Sequence, residues 1–225
     1  MDLCDLYATC RIDLLEQATS ISAQQCAELL TATPPWTVLD GYRHLAGVCA
    51  DFLDGQLQGA GSREWTAAQL RERQSHSLEE VCTEWAARGP TLEAQMAEAG
   101  PTMGFLAFDA WTHAQDIRAA IGLRGERNGE LVKSLVDLAL ITFGARYEAS
   151  GSPSLLVLID GEAHVLGPLG SAPDISLGTS PYELLRIIFG RRSAAQIANA
   201  NWTGDSSLVI DALHIFDLPV VDIVD

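Results

Sequence analysis

Residues Phe108 to Gly122 run F-D-A-W-T-H-A-Q-D-I-R-A-A-I-G. Whether the N-terminal half is a bundle of helices turns on how they are read. Phe105, Leu106, Phe108, Trp111, Ile117 and Ile121 surround a polar stripe, no proline interrupts the run, and Gly122 supplies a C-terminal stop, so the pattern predicts a helix. Asp109 and His113 then stand at i and i+4 on one face, about 5–6 Å apart at Cβ, where both can reach one metal ion. Thr112 and Asp116 share that face. A mostly apolar helix with a single polar stripe is not a solvated surface helix. A buried acid on it must be paired, hydrogen-bonded or metal-bound, because stripping water from a bare carboxylate costs several kcal/mol. A carboxylate and an imidazole at this spacing supply two ligands of a zinc-type site; the same pair also makes an ordinary structural ion pair.

Outward from this helix, apolar spacing stays helical up to about Ser150. Segments are expected from Leu3 to Gln17, from Ser22 to Thr31, and, after the Pro34-Pro35 break, from the Thr37-Val38-Leu39-Asp40 capping box to about Leu57. Gly59 to Arg63 reads as loop. Ser77 to Arg88 reads as a helix ended by Gly89-Pro90, Thr91 to Ala99 as another short piece, and Gly129 to Glu148 as the last helix. The inventory fits an antiparallel four-helix bundle over residues 1–150.

Composition changes at Gly151-Ser152-Pro153. Leu155 to Asp160 is a short β-rich run, Asp160-Gly161 a hairpin turn signal, and Glu162 to Leu166 the returning strand. Ser180-Pro181-Tyr182-Glu183 predicts a helix from Tyr182 to Phe189, and Asp205 to Ile210 and Ala212 to Phe216 read as further strand. Residues 151–225 are thus expected to form a small α+β domain, making the fold class α+β.

The chain has 225 residues, 48% of them hydrophobic and 20% charged, enough for a sizeable core in one or two domains. A net charge of −16 with only 14 Lys and Arg argues against nucleic acid and anionic membranes as partners. With no apolar run of membrane-spanning length and no basic-then-apolar leader, the expected location is the cytoplasm. Cys4, Cys10, Cys26, Cys49 and Cys82 are odd in number and contain no C-x-x-C pair, which opposes both a disulfide framework and a cysteine zinc knuckle. Cys49 and Cys82 read as buried thiols, with a catalytic cysteine as the alternative.

A third ligand is less legible. His44 falls in the helix begun at Thr37 but off the stripe of Val38, Tyr42, Leu45, Cys49 and Phe52, so periodicity makes it a flank or surface residue. His76 sits in a polar loop beside Arg71, Glu72 and Arg73, and His164 and His214 are isolated.

The string Trp36-Thr37-Val38-x-Asp40-x-x-x-His44-Leu45-Ala46-Gly47, taken with Asp109-x-Trp111-x-His113-x-Gln115-Asp116-Ile117-Arg118-x-x-x-Gly122, resembles the mycothiol-dependent maleylpyruvate isomerase family of actinobacteria, a branch of the DinB-like metal-binding bundles. Gly190-Arg191-Arg192-Ser193 and Trp202-Thr203-Gly204-Asp205 resemble that family's sterol-carrier-like C-terminal domain more weakly. The resemblance implies a divalent metal, zinc first, held by His44, Asp109 and His113. Some relatives carry glutamate where this chain has Asp109. The shorter side chain implies either a closer approach of the helices or a looser, even empty, site.

Two imidazoles and a carboxylate leave an open position, as in catalytic zinc sites, and a thiol that reaches zinc is deprotonated. The family implies addition of the mycothiol thiolate to a small electrophilic cis-enedioyl acid, rotation about the resulting single bond, and elimination to the trans product. Arg73 and Arg118 are the candidate catalytic cations for an anionic substrate, and solvated or ion-paired charges otherwise. Asp116 is the candidate acceptor orienting an imidazole. Trp36 and Trp111 read as packing residues, and the C-terminal domain as a wall of the cleft. The expected partners are a low-molecular-weight thiol and a small electrophile, with the chain a monomer or homodimer. A metal hydrolase and a non-catalytic binding bundle are the alternatives.

Overall fold

A computed structural model describes residues 1–168 and 173–225. The chain divides into two compact units, Met1–Gly125 together with Asp225, and Glu126–Val224.

The first unit is built on four long helices: α1 (Leu3–Ala18), α3 (Val38–Asp54), α5 (Leu78–Ala99) and α6 (Phe105–Ala120), with α2 (Ala23–Cys26) and α4 (Arg63–Glu72) as short additions. They pack in a ring in which α3 and α1 each touch both α5 and α6. Thr37 and Asp40 form the expected capping box at the start of α3, and Gly55, with φ of 72°, closes it. At the centre Trp85 is fully buried, its ring edge-on to Tyr7 and its Nε1 donating to the Tyr7 hydroxyl at 2.8 Å.

The sequence reading differs from this unit in three places. The Ser22–Thr31 helix is only Ala23–Cys26, because Leu29 leaves it to form a bridge with Thr37. Helix α4 was not expected; its N-cap, Ser62, is followed at the third position by Trp65 rather than an acid, so no capping-box signature marks it. Gly89-Pro90 does not end a helix: α5 runs through it. Gly89 leaves the space that the Arg11 side chain crosses on its way to Glu93, 2.7 Å from Arg11 Nε, and packing against α1 and α3 carries the helix past the proline.

In the second unit a four-stranded mixed sheet has the order β2-β1-β3-β4, from β1 (Leu155–Ile159), β2 (Glu162–Leu166), β3 (Ile175–Thr179) and β4 (Asn201–Thr203). Strand β1 pairs antiparallel with β2 and parallel with β3, and β3 pairs antiparallel with β4. The Asp160-Gly161 hairpin forms as expected, both residues having positive φ (50° and 92°), the requirement of a type I′ turn. Helix α8 (Pro181–Ile188) follows the Ser180 cap, which accepts from the Glu183 N–H, and α9 (Ala194–Ala198) follows Ser193.

Helix α7 (Glu130–Ala149) packs on α8 and β2. The division between units therefore falls at Gly125, one helix before the expected boundary at residue 150. The strands expected at Asp205–Ile210 and Ala212–Phe216 are instead 3-10 turns at Ser206–Leu208 and Ile210–Ala212. There the Asp205 carboxylate accepts from the Ser207 N–H at 3.0 Å and hydroxyl at 2.7 Å, a local bond that competes with a strand ladder. Among the described residues no helix is long and apolar enough to cross a membrane.

Candidate metal centre

Helices α3 and α6 run antiparallel, and three pairs of positions set their register. A Cβ on Gly41 would meet Ile117 at 3.1 Å, the His44 and His113 rings lie 4.9 Å apart at 73°, and the Phe52 and Phe105 rings lie 5.3 Å apart. Glycine at 41 therefore lets the two helices close up one turn from the paired histidines.

Helix α6 is buried on all sides: from 106 to 117 every residue is buried except Asp109, which keeps partial exposure. His44 and His113 are 5% and 4% exposed. His44 Nε2 lies 3.5 Å from one Asp109 oxygen and His113 Nε2 lies 3.6 Å from the other. One ligand atom from each of the three residues lies within 4.8 Å of the others.

At 3.5 and 3.6 Å the two contacts are at ion-pair distance, longer than the roughly 2.7–3.2 Å of a close N–H···O hydrogen bond. Ligands about 2.0–2.2 Å from a tetrahedral zinc stand about 3.3–3.6 Å from one another, and the two imidazole-to-carboxylate distances, each to a different Asp109 oxygen, are close to that range. The residues present thus fit a divalent metal.

The far side of each ring is also occupied. His44 Nδ1 lies 2.8 Å from Gln69 Oε1, and Gln69 Nε2 donates to Asp51 at 2.7 Å. His113 Nδ1 faces the fully buried Asp116 carboxylate at 3.5 Å, an ion-pair distance. Trp36 is more than packing: half-buried, it stacks on the His113 ring (5.7 Å, 24°) and tilts against His44 (5.0 Å). Trp111 is a core residue, 1% exposed.

The structure brings together His44, Asp109 and His113 and engages the two arginines elsewhere. Arg73 grips Glu84 of α5 with both ends of its fork, Nε to Oε2 at 2.9 Å and Nη2 to Oε1. Arg118 donates to Gln17 at 3.1 Å and lies 3.8 Å from Asp13, both on α1. Both side chains thus join helices.

Periodicity placed His44 at a flank; the structure buries it, because α4 covers that face of α3 and delivers Gln69 to it. Gln69 and Asp51 were missed. Asp51 does lie two turns from His44 on the same helix, but Gln69 sits in the helix the sequence did not reveal. His76, His164 and His214 stand outside the cluster.

Every cysteine thiol is shifted upward. Burial pushes Cys10 to about 12, Cys49 and Cys82 to about 11, and Cys26 upward, while a bond to the Asp2 carboxylate raises Cys4. None is primed as a thiolate nucleophile at neutral pH.

The fold resembles that of the mycothiol-dependent maleylpyruvate isomerase. Crystal structures of that enzyme and of a histidine-to-alanine mutant of it each superpose with a TM-score of 0.52 at 10% sequence identity, covering 84% of this chain and 88% of theirs. No protein-family model matches the chain, and no curated protein matches it.

Proposed function

We propose that this chain is a metal-dependent enzyme that brings a low-molecular-weight thiol of the mycothiol kind to a small electrophile, for transfer or for cis-trans isomerisation. The observation that carries the reading is the convergence of two buried imidazole Nε2 atoms on a half-exposed carboxylate, at the spacing of metal ligands, in a fold like that of a mycothiol-dependent isomerase. His44, Asp109 and His113 hold the ion, zinc being the first choice for two nitrogens and an oxygen. When bound, such an ion lowers the pKa of a thiol or water that reaches it.

The residues around the centre do the rest. Asp116 sets a negative charge beside the His113 ring, and Trp36 lies across both imidazoles and shields them from water on that side. The raised values of the chain's own cysteines leave the nucleophile to come from solution. The partial exposure of Asp109 provides the approach to the centre.

Cobalt-substituted protein tests this. Addition of mycothiol is expected to produce a sulfur-to-cobalt charge-transfer band, and His113→Ala is expected to abolish it. Cobalt that binds the wild-type chain yet gives no such band with thiol would contradict the thiol reading.

A further inference from the structure

We infer that Asp51 and Gln69 form a two-residue relay that locks His44 in the Nδ1–H tautomer, leaving Nε2 bare toward Asp109. This rests on the reading of His44, Asp109 and His113 as a metal centre. It adds two positioning residues that touch neither metal nor substrate.

An ionised carboxylate only accepts, so at 2.7 Å from Gln69 it must be facing the amide nitrogen, with Gln69 Nε2–H donating to Asp51 Oδ2. The amide oxygen is thereby turned to His44, 2.8 Å from Nδ1. An amide oxygen cannot donate, so His44 must carry its proton on Nδ1. In the neutral ring Nε2 is then a lone pair, pointed at an Asp109 oxygen 3.5 Å away. In the opposite tautomer the ring would aim an N–H at the ligand position and offer Gln69 a lone pair against a lone pair.

The surroundings hold the relay in place. On α3, His44, Gly47 and Asp51 succeed one another along one stripe. A Cβ on Gly47 would meet Gln69 Cβ at 2.6 Å, so only glycine there lets α4 approach closely enough for Gln69 to span the gap. Gln69 is 1% exposed. Arg73, one turn further along α4, is clamped by Glu84, which fixes the end of that helix against α5.

The test is long-range ¹H–¹⁵N correlation of histidine side chains in the metal-free full chain, with His44 assigned by its loss in His44→Ala, together with zinc affinity. In the wild type His44 is expected as the Nδ1–H tautomer. Gln69→Leu is expected to release it to a tautomer mixture and weaken zinc about 10–100-fold, the usual cost of losing an outer partner. The double change Gln69→Glu with Asp51→Asn exchanges donor and acceptor while keeping an acceptor at Nδ1. It should restore both tautomer and affinity, which a purely structural role for Gln69 would not produce. If Gln69→Leu fails to fold, Asp51→Asn alone, which frees the amide to turn, should show the same loss in milder form.

An Nε2–H tautomer in a metal-free wild type that nonetheless takes up zinc when it is added, or a Gln69→Leu chain unchanged in both measurements, would overturn the relay and leave the metal centre standing. A fixed Nδ1–H tautomer in a chain that binds no zinc would support the relay and overturn the metal centre.

Discussion

Burial acts on single thiols in a way that pH exposes. Unfolded cysteine ionises at its ordinary value of 9.0, whereas folded Cys10 keeps its proton to about 12 and Cys49 and Cys82 to about 11. Between these values the folded state binds more protons than the unfolded one. The stability this represents is therefore present in full below pH 9 and lost as the pH climbs toward 11 to 12. A urea-unfolding midpoint that holds near neutrality and falls above pH 9 is expected, and replacing the three thiols by alanine should flatten that fall. A midpoint unaffected by the triple replacement would contradict it. At this scale the sequence revealed Asp109 and His113 together, since an i,i+4 pair on an otherwise apolar helix is a local pattern. His44 could not be placed by periodicity, because what buries it is not its own stripe but Gln69 arriving from another helix. Arg73 and Arg118 were legible as cations, but not which groups they pair with. Their partners, Glu84, Gln17 and Asp13, lie on other elements.

Among the elements, α5 is the one whose local chemistry and final structure disagree most. Pro90 sits inside a 22-residue helix, has no N–H to give to the Ala86 carbonyl and sets its ring against that carbonyl. Its side chain is exposed, so little burial depends on it. Pro90→Ala is expected to raise stability by about 1–3 kcal/mol, most of the ordinary cost of an interior proline, seen as a higher thermal midpoint. A lower midpoint would mean that the proline is a packing element after all. The sequence marked Gly89-Pro90 as an end because the contacts that carry α5 past it, from α1 and α3, are distant in the chain. Elements with local signals were legible: the Thr37 capping box, the Asp160-Gly161 turn and the Ser180 cap all appear where expected. Strands β3 and β4 carry no such mark. Gly178 interrupts β3, where a Cβ would meet Asn201 of β4 at 2.5 Å, so its meaning emerges only with the partner strand in place.

For the whole molecule, the α+β class and the order of helices before sheet were readable from composition and spacing. The assignment of α7 to the second unit was not, since a helix's partner is not written in its own periodicity. Within the first unit, two distant segments cross antiparallel with glycine at the contact, and that crossing brings together residues 44, 109 and 113, which could hold a metal ion. The most direct test is zinc titration of the chelator-treated full chain beside its His44→Ala variant. The account predicts one zinc per wild-type chain. It also predicts an affinity loss in the variant larger than the roughly 10–100-fold caused by removing an outer partner. A wild-type chain that takes up no zinc, or a variant that binds it as tightly as the wild type, would contradict it.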